Sequence, residues 1–251
     1  MSLALSRAGY PIVGVASRSR GDAQAVVDAS DIVFLTVPDD AITDVSQSLK
    51  WQEQAAVHCS GAAELSVMKG PARAGGFHPL VMFADPEVAA RNIAGAAIAV
   101  EADEPLASSL RNMVEALKAR LLVIPPGARA AYHGAAHFAA AFACASVAQG
   151  VEIYRRIGIA PEDALPALLS LLRGATDAMA HSGPARAMAG SIARGDIATV
   201  RRHLAALDAL DASIAELYRA LARRTVPLAL AAGGITPERA LELETLLERP
   251  S

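Results

Sequence analysis

Pro11-Ile12-Val13-Gly14-Val15-Ala16-Ser17-Arg18-Ser19-Arg20 is the stretch on which the reading of the fold turns. Its first six residues form a continuous apolar run of the kind that predicts a strand buried on both faces. Its last four are hydroxyls and guanidiniums. Just before it, Ser2-Leu3-Ala4-Leu5-Ser6-Arg7-Ala8-Gly9-Tyr10 reads as the back half of an amphipathic helix ending at a glycine. A helix feeding a buried strand is the second half of a βαβ unit. In the dinucleotide-binding version of that unit, a strand and a glycine-rich turn precede the helix, and the turn lets the backbone approach a pyrophosphate. The sequence opens on the helix, so the expectation is a nucleotide-binding domain whose first strand and glycine-rich turn are missing. That strand would be central in a doubly wound sheet. Each buried backbone group orphaned by its loss would cost roughly 1–3 kcal/mol. A start site set too far downstream is therefore the simpler expectation, with a degenerate, re-paired scaffold as the alternative.

Working outward, the first half alternates short apolar runs with helical patterns. Strands are predicted at Ile32–Val37, Ala55–Cys59, Gly75–Phe77, Ala96–Val100 and Leu121–Val123 in addition to Pro11–Ala16. Helices are predicted at Asp22–Ala29, Asp39–Gln47, Pro86–Ile93 and Glu104–Lys118, with Asp22, Asp39 or Asp40, and Asp85 placed to cap them. Continuous apolar strands alternating with helices predict an α/β fold built on a parallel sheet. The pattern changes at Pro125-Pro126-Gly127, beyond which only Ala/Leu-rich helical segments follow, separated by Gly158, Gly174, Gly183, Gly195 and Gly233-Gly234. Two domains are expected, residues 1–126 binding a nucleotide and residues 127–251 all-helical. The similarity of Gly158–Leu165 to Gly234–Leu241 is a shared way of starting a helix, with proline at the first position and an acid in the first turn, rather than a duplication.

Composition narrows the function. With 53% hydrophobic and 20% charged residues the chain is globular, and a net charge of −3 offers no footprint for nucleic acid or an anionic membrane. Cys59 and Cys144 stand far apart without metal-ligand spacing, as expected of reduced thiols in a cytoplasmic protein. The most apolar stretch, Gly134–Gly150, is expected to be too short to span a bilayer and to pack tightly against another helix.

Chemistry-bearing residues gather where strands end. In an open α/β sheet ligands sit at the carboxyl ends of the strands, which places Thr36, Val37, Pro38 and Asp39 toward a ligand, with an ordinary capped turn as the equal alternative. Ser17-Arg18-Ser19-Arg20 occupies the position where NAD-specific sites carry an acid. Guanidiniums there suit a 2′-phosphate by charge and fork geometry, which points to NADP, against a plain solvated loop. His58-Cys59-Ser60-Gly61-Ala62 and Gly75-Gly76-Phe77-His78-Pro79-Leu80 bring a histidine and small residues to the same edge. A histidine beside a nicotinamide orients a carbonyl or moves a proton; a histidine beside a proline is otherwise structural. His133 and His137 share a helix face at metal-ligand spacing, yet no third ligand accompanies them and no metal is expected. Arg194 precedes Asp196, which is placed to cap a helix carrying His203, a weak signal for an anion site.

The order Val-Pro-Asp-Asp-Ala-Ile (37–42), His-Cys-Ser-Gly-Ala (58–62), Phe-His-Pro-Leu (77–80), Tyr-His-x-Ala-Ala (132–136) and Ile-Ala-Arg-Gly-Asp-x-x-Thr-Val-x-x-His-Leu (192–204) resembles one family over nearly the whole chain. These are Rossmann-like NADP oxidoreductases with a C-terminal domain of unknown function, number 2520, related to pyrroline-carboxylate reductase, prephenate dehydrogenase and the 6-phosphogluconate dehydrogenase group. The resemblance implies a Rossmann-type first domain, a helical second domain that mediates homodimerisation, and NADP(H) as cofactor. It implies that Ser17, Arg18 and Ser19 form the ribose or 2′-phosphate loop and that Val37, Pro38 and Asp39 form the nucleotide-side turn. Ser60, Gly61, His78 and Pro79 would lie near the nicotinamide, and Tyr132 and His133 on the helix facing the cofactor. Arg194, Gly195, Asp196, Thr199 and His203 would form a second-domain signature reaching a partner subunit's cleft. His78 and His133 are the expected proton-handling residues. Three departures stand out: the absent first strand and glycine turn, Ala140-Ala141 where the family has Ser-Asn, and Ala189-Gly190-Ser191 where it has Thr-Gly-Pro. Two function classes remain open, an NADP-dependent oxidoreductase acting on a small carbonyl, imine or hydroxy acid, and a non-catalytic dimeric binding protein on a degenerate Rossmann scaffold.

Overall fold

The computed structural model describes residues 1–248 and divides into two compact units, Met1–Phe142 and Ala143–Ser251. The first unit is an α/β layer structure. A five-stranded sheet runs in the order β1 (Ile32–Leu35), β2 (Ala55–His58), β3 (Arg73–Pro79), β4 (Ala97–Ala102), β5 (Arg120–Val123). Around it lie α1 (Ser2–Arg7), α2 (Ala23–Asp28), α3 (Ile42–Ser48), α4 (Pro86–Asn92) and α5 (Leu106–Ala116), followed by α6 (Arg129–Ala139). Alternation along the strands splits the core in two. Ile32, Phe34, Val57, Phe77 and Ile98 pack with Leu5, Ile93 and Leu110 on one face, and Val33, Leu35 and Ala56 pack with Val27, Ile42 and Met68 on the other. Helices on both faces explain why the strands read as continuous apolar runs.

The capping expectations hold at α2 and α4, where Asp22 accepts from Gln24 and Ala25 and Asp85 accepts from Val88. Two strand expectations do not hold. Pro11–Ala16 is not a strand. It runs as irregular backbone beside α2, with Gly14 against Val26 and with Val13 and Val15 exposed. Among the described residues no strand lies alongside it to take up its backbone hydrogen bonds, and apolar character without a pairing partner does not make a strand. The sheet is also mixed rather than wholly parallel. The pairs β1–β2, β2–β3 and β4–β5 are parallel, but β3 and β4 are antiparallel, Phe77 facing Val100. The carboxyl ends of β1, β2 and β3 therefore share one edge.

The second unit is helical: all but the first two residues of α7 (Ala141–Arg156), then α8 (Pro161–Arg186), α9 (Ile197–Leu210), α10 (Ala212–Ala231) and α11 (Pro237–Glu248). Its core is formed by Val200 and Leu204 of α9, Ala222, Val226 and Ala229 of α10, and Leu243 and Leu247 of α11. Pro161 and Pro237 open α8 and α11 with Glu162 and Glu238 in their first turns, the shared helix start seen in the sequence. Gly174 does not separate helices; it lies inside α8, whose break comes at Gly183, with φ of 78°. The expectation for Gly134–Gly150 is corrected twice. It belongs to a 28-residue helical run, Arg129–Arg156, long and apolar enough by length and composition to cross a membrane, and the most apolar part of that run is exposed rather than tightly packed. Within the second unit Gly150 lies against Leu168, yet α7 buries no residue and α8 buries only Ala164.

Candidate active site at the ends of the first three strands

The turns that leave β1, β2 and β3 converge with the first two turns of α6. Pro38 opens a 3₁₀ turn at Asp39–Ala41, which aims the Asp39 carboxylate at the turn after β2. There the Ser60 hydroxyl donates to Asp39 Oδ2 at 2.6 Å and accepts from the backbone N–H groups of Ala62 and Ala63 at 3.2 and 2.9 Å. This satisfies donors that a buried turn would otherwise orphan. The Ser60 carbonyl accepts from Arg129 Nη1 at 2.9 Å. One residue on, Gly61 is buried against two imidazoles. A Cβ there would stand 2.5 Å from His133 Cδ2, 2.8 Å from His78 Cε1 and 2.9 Å from His78 Nε2. From β3, His78 presents Nδ1 to the Tyr132 hydroxyl at 2.8 Å. Its ring lies edge-to-face with those of Tyr132 and His133, centroids 5.6 and 5.7 Å apart. His133 continues the array to His137 at 4.8 Å, and His137 Nδ1 is 3.0 Å from the His133 carbonyl oxygen.

Burial sets the protonation states. Desolvation, with the neighbouring His133 and Arg129 charges, holds His78 down at about 4, against a smaller opposing effect of Asp39. His58 is fully buried at the end of β2 with neither ring nitrogen hydrogen-bonded, and desolvation followed by Arg129 holds it at about 4. Both imidazoles are neutral at pH 7. Burial pushes the Tyr132 phenol up to about 12, so it remains protonated. His58, His78 and Tyr132 are thus neutral hydrogen-bonding groups beside the Asp39 and Glu101 carboxylates and the Arg129 guanidinium. The cluster can orient a polar atom and pass a proton between neutral partners.

Arg129 was not singled out by the sequence reading. Its side chain is fully buried, pairs through Nε with Glu101 and leaves Nη2 without a partner. Burying a guanidinium costs several kcal/mol unless the geometry repays it. A signal was available: α6 opens on a basic residue and has no acid in its first turn, the reverse of what the helix dipole favours. Gly76 carries no such signal. A Cβ there would stand 1.9 Å from Arg129 Nη2, so β3 leaves room for the guanidinium.

Of the residues named from sequence, the structure brings together Asp39, Ser60, Gly61, His78, Tyr132 and His133. Val37 packs into the second core of the first unit. Ser17, Arg18 and Ser19 lie outside the cluster, in an exposed turn closed by backbone bonds between Ser17 and Arg20 of 2.7 and 3.2 Å. Arg194, Asp196 and His203 belong to the second unit. Asp196 caps α9, accepting from Thr199 N at 3.0 Å and Thr199 Oγ1 at 2.7 Å, bonds that hold its carboxyl below the usual range. Arg194 is exposed, and His203 Nδ1 meets the Tyr218 hydroxyl at 3.0 Å. Among the described residues no three histidines, cysteines or acids are arranged to hold a metal ion.

Residues 96–225 match the family described as a domain of unknown function (DUF2520). The chain belongs to the DUF2520 family. The matched region runs from β4 through most of α10, so the family's signature includes the α6 residues of the cluster. Among solved structures, protein TM1727 from Thermotoga maritima is similar at 25% identity, with 80% of this chain and 79% of that one covered and a TM-score of 0.71. A Bacteroides fragilis protein, BF3122, named a putative NADP oxidoreductase, is similar at 21% identity over 89% and 92% of the two chains, TM-score 0.68. A Plasmodium falciparum pyrroline carboxylate reductase with NADP bound is similar at 9% identity over 98% and 92%, TM-score 0.58. The fold is therefore Rossmann-like. Curated proteins offer no match to this chain.

Proposed function

We propose that this DUF2520 protein is an NADP(H)-dependent oxidoreductase that moves a hydride between the nicotinamide and a small carbonyl, imine or hydroxy-acid substrate. The observation that carries the reading is the His78–Tyr132–His133 array packed on Gly61 at the strand ends, where α/β folds bind ligands. Ser17, Arg18 and Ser19 suit the cofactor's adenosine side. They form an exposed turn of hydroxyls and guanidinium, with Arg20 adjacent and no ion pair made by either arginine among the described residues, and this favours a 2′-phosphate. Val37, Pro38, Asp39, Ser60 and Gly61 form the wall expected beside the dinucleotide. The bound cofactor supplies the hydride; the protein's residues orient the substrate and handle the proton. In this role His78 acts as a neutral hydrogen-bonding group rather than a proton store. When Tyr132 donates to its Nδ1, the proton sits on Nε2, on the side of Gly61. His133, edge-to-face with His78 at 5.7 Å, is the second catalytic group of the proposal.

Residues 1–126 serve the cofactor, and residues 127–251 serve dimerisation and the substrate side, Tyr132, Arg194, Asp196 and His203 included. The exposed apolar surface of the helical unit supports a homodimer: Ile157, Leu165 and Met179 are exposed, and Leu171 is 72% exposed. A cytoplasmic setting and the absence of membrane and nucleic-acid partners belong to the same reading. One observation favours the non-catalytic alternative. Ala140 and Ala141, at the break between α6 and α7, bring only methyl groups where a polar pair is expected.

Titration of the 251-residue chain with NADPH, followed by nicotinamide fluorescence with NADH in parallel, tests the proposal. Micromolar binding that prefers NADPH is expected. A folded chain that binds neither nucleotide would overturn the oxidoreductase reading and leave the binding-protein alternative.

A further inference from the structure

We infer that Arg129 is the positioning residue of the cluster: its buried guanidinium ties the first turn of α6 to the turn carrying Ser60 and Gly61, and thereby sets the meeting of Tyr132 with His78. The inference takes its chemistry from the proposed oxidoreductase but its geometry from the structure alone.

The guanidinium joins three elements. Nη1 donates to the Ser60 carbonyl after β2, Nε pairs with Glu101 of β4, and Nη2 lies where Gly76 of β3 has no Cβ. The Ser60 turn is gripped from its other side as well, through the hydroxyl that donates to Asp39. A turn held at both its carbonyl and its hydroxyl cannot slide, which fixes Gly61 against the rings of His78 and His133. On α6, Tyr132 and His133 follow Arg129 by three and four residues, the spacings that share one helix face. A rotation or translation of the Arg129 anchor is therefore carried directly to both. The arginine stands where the helix dipole opposes it and where burial opposes it, so stability does not account for its presence, whereas its bonds to Ser60 and Glu101 do.

The test uses the full chain and reads the imidazole nitrogens of His78 by long-range ¹⁵N–¹H spectra, with circular dichroism to confirm folding. Groups facing His78 are Tyr132, His133 and Arg129 from α6, Asp39 from the turn after β1, and His58 from β2. Tyr132→Phe first identifies the Nδ1 resonance that depends on the phenol. Arg129→Met is expected to abolish that dependence and to raise the His78 titration midpoint slightly from about 4, because burial still holds it down and only one of the two charges that oppose its protonation is gone. Arg129→Lys is expected to keep the midpoint low while only partly restoring the Tyr132 dependence, a lysine having no fork to reach both Ser60 and Glu101. Gly76→Ala keeps the charge and pushes the guanidinium aside, and is expected to abolish the Tyr132 dependence without raising the midpoint. If Arg129→Met does not fold, Gly76→Ala decides alone. A folded Arg129→Met or Gly76→Ala chain with the parental Tyr132 dependence would overturn the inference, even if its stability fell. Failure of the parent to bind NADPH would overturn the oxidoreductase reading and leave this measurement standing.

Discussion

An alanine at position 61 adds a single methyl group where the structure has no room for one. The methyl would stand 2.5 Å from His133 Cδ2 and 2.8–2.9 Å from the edge of the His78 ring. Carbon atoms rest at about 3.5–4.0 Å, so the rings must withdraw by roughly 1 Å. Neither can do so alone. His133 is backed by His137 at 4.8 Å, and His78 is tied to the Tyr132 hydroxyl. Gly61 is absent from the glycines with positive φ, so the penalty is steric and not conformational. Overpacking of this kind costs about 1–3 kcal/mol. In a chain of this size that corresponds to a melting temperature lower by roughly 2–12 °C. If the array orients substrate, a 1 Å displacement also lowers turnover by about 100-fold. Thermal unfolding by circular dichroism and the ring chemical shifts of His78 and His133 measure both consequences without knowledge of the substrate. A Gly61→Ala chain with the parental melting temperature and unmoved ring shifts would show that the imidazoles do not pack on Gly61, and the argument for the cluster would fail.

Three further outcomes are expected. Ser60→Ala removes the hydroxyl that serves Asp39, Ala62 and Ala63, and the stranded groups should cost about 1–3 kcal/mol in denaturant unfolding; a change under a few tenths would mean that the turn is held by Arg129 alone. His58 and His78 are held at about 4, well below their unfolded value of 6.5, so the unfolded chain binds more protons between those limits. Their stabilisation is complete above pH 6.5 and is lost as pH falls toward 4, by up to about 3 kcal/mol for buried His58. Urea midpoints from pH 7.5 to 4.5 should show the decline, and His58→Leu should flatten part of it; an equal decline in that variant would exclude His58 as its source. Leu171→Glu places a charge on the exposed apolar face of α8 and should convert a dimer to monomer in sedimentation velocity without unfolding the chain; an unchanged sedimentation coefficient would remove that face from the interface.

Much of the first unit was legible because buried strands and capped helices announce themselves locally. The five paired strands fall within or beside apolar runs read from sequence, and Asp22 and Asp85 cap as their spacing implies. Strand direction was not legible, since an apolar run such as Ala97–Val100 reads alike whether its neighbour is parallel or antiparallel. Pro11–Ala16 misled for a related reason: a strand needs a partner as well as a pattern, and the pattern alone was visible. Asp39, Ser60, Gly61, His78, Tyr132 and His133 could be named because strand-end turns collect functional groups. Arg129 and Gly76 could not, because their meaning lies in each other. One is a charge with no nearby acid, the other a glycine without a turn, and only the fold puts them in contact.

The bonds of the cluster join residues far apart along the chain: Asp39 to Ser60 across 21 positions, His78 to Tyr132 across 54, and Arg129 to Ser60 across 69. None can form until the strands between them are paired, and each closes a loop whose entropy must be met before the contact gives anything back. The cluster should therefore be among the last parts of the first unit to assemble and among the first to open. Partly folded chains would hold a sheet and helices but no competent site, and tight ligand capture at the strand ends would report completion of folding more faithfully than secondary structure does.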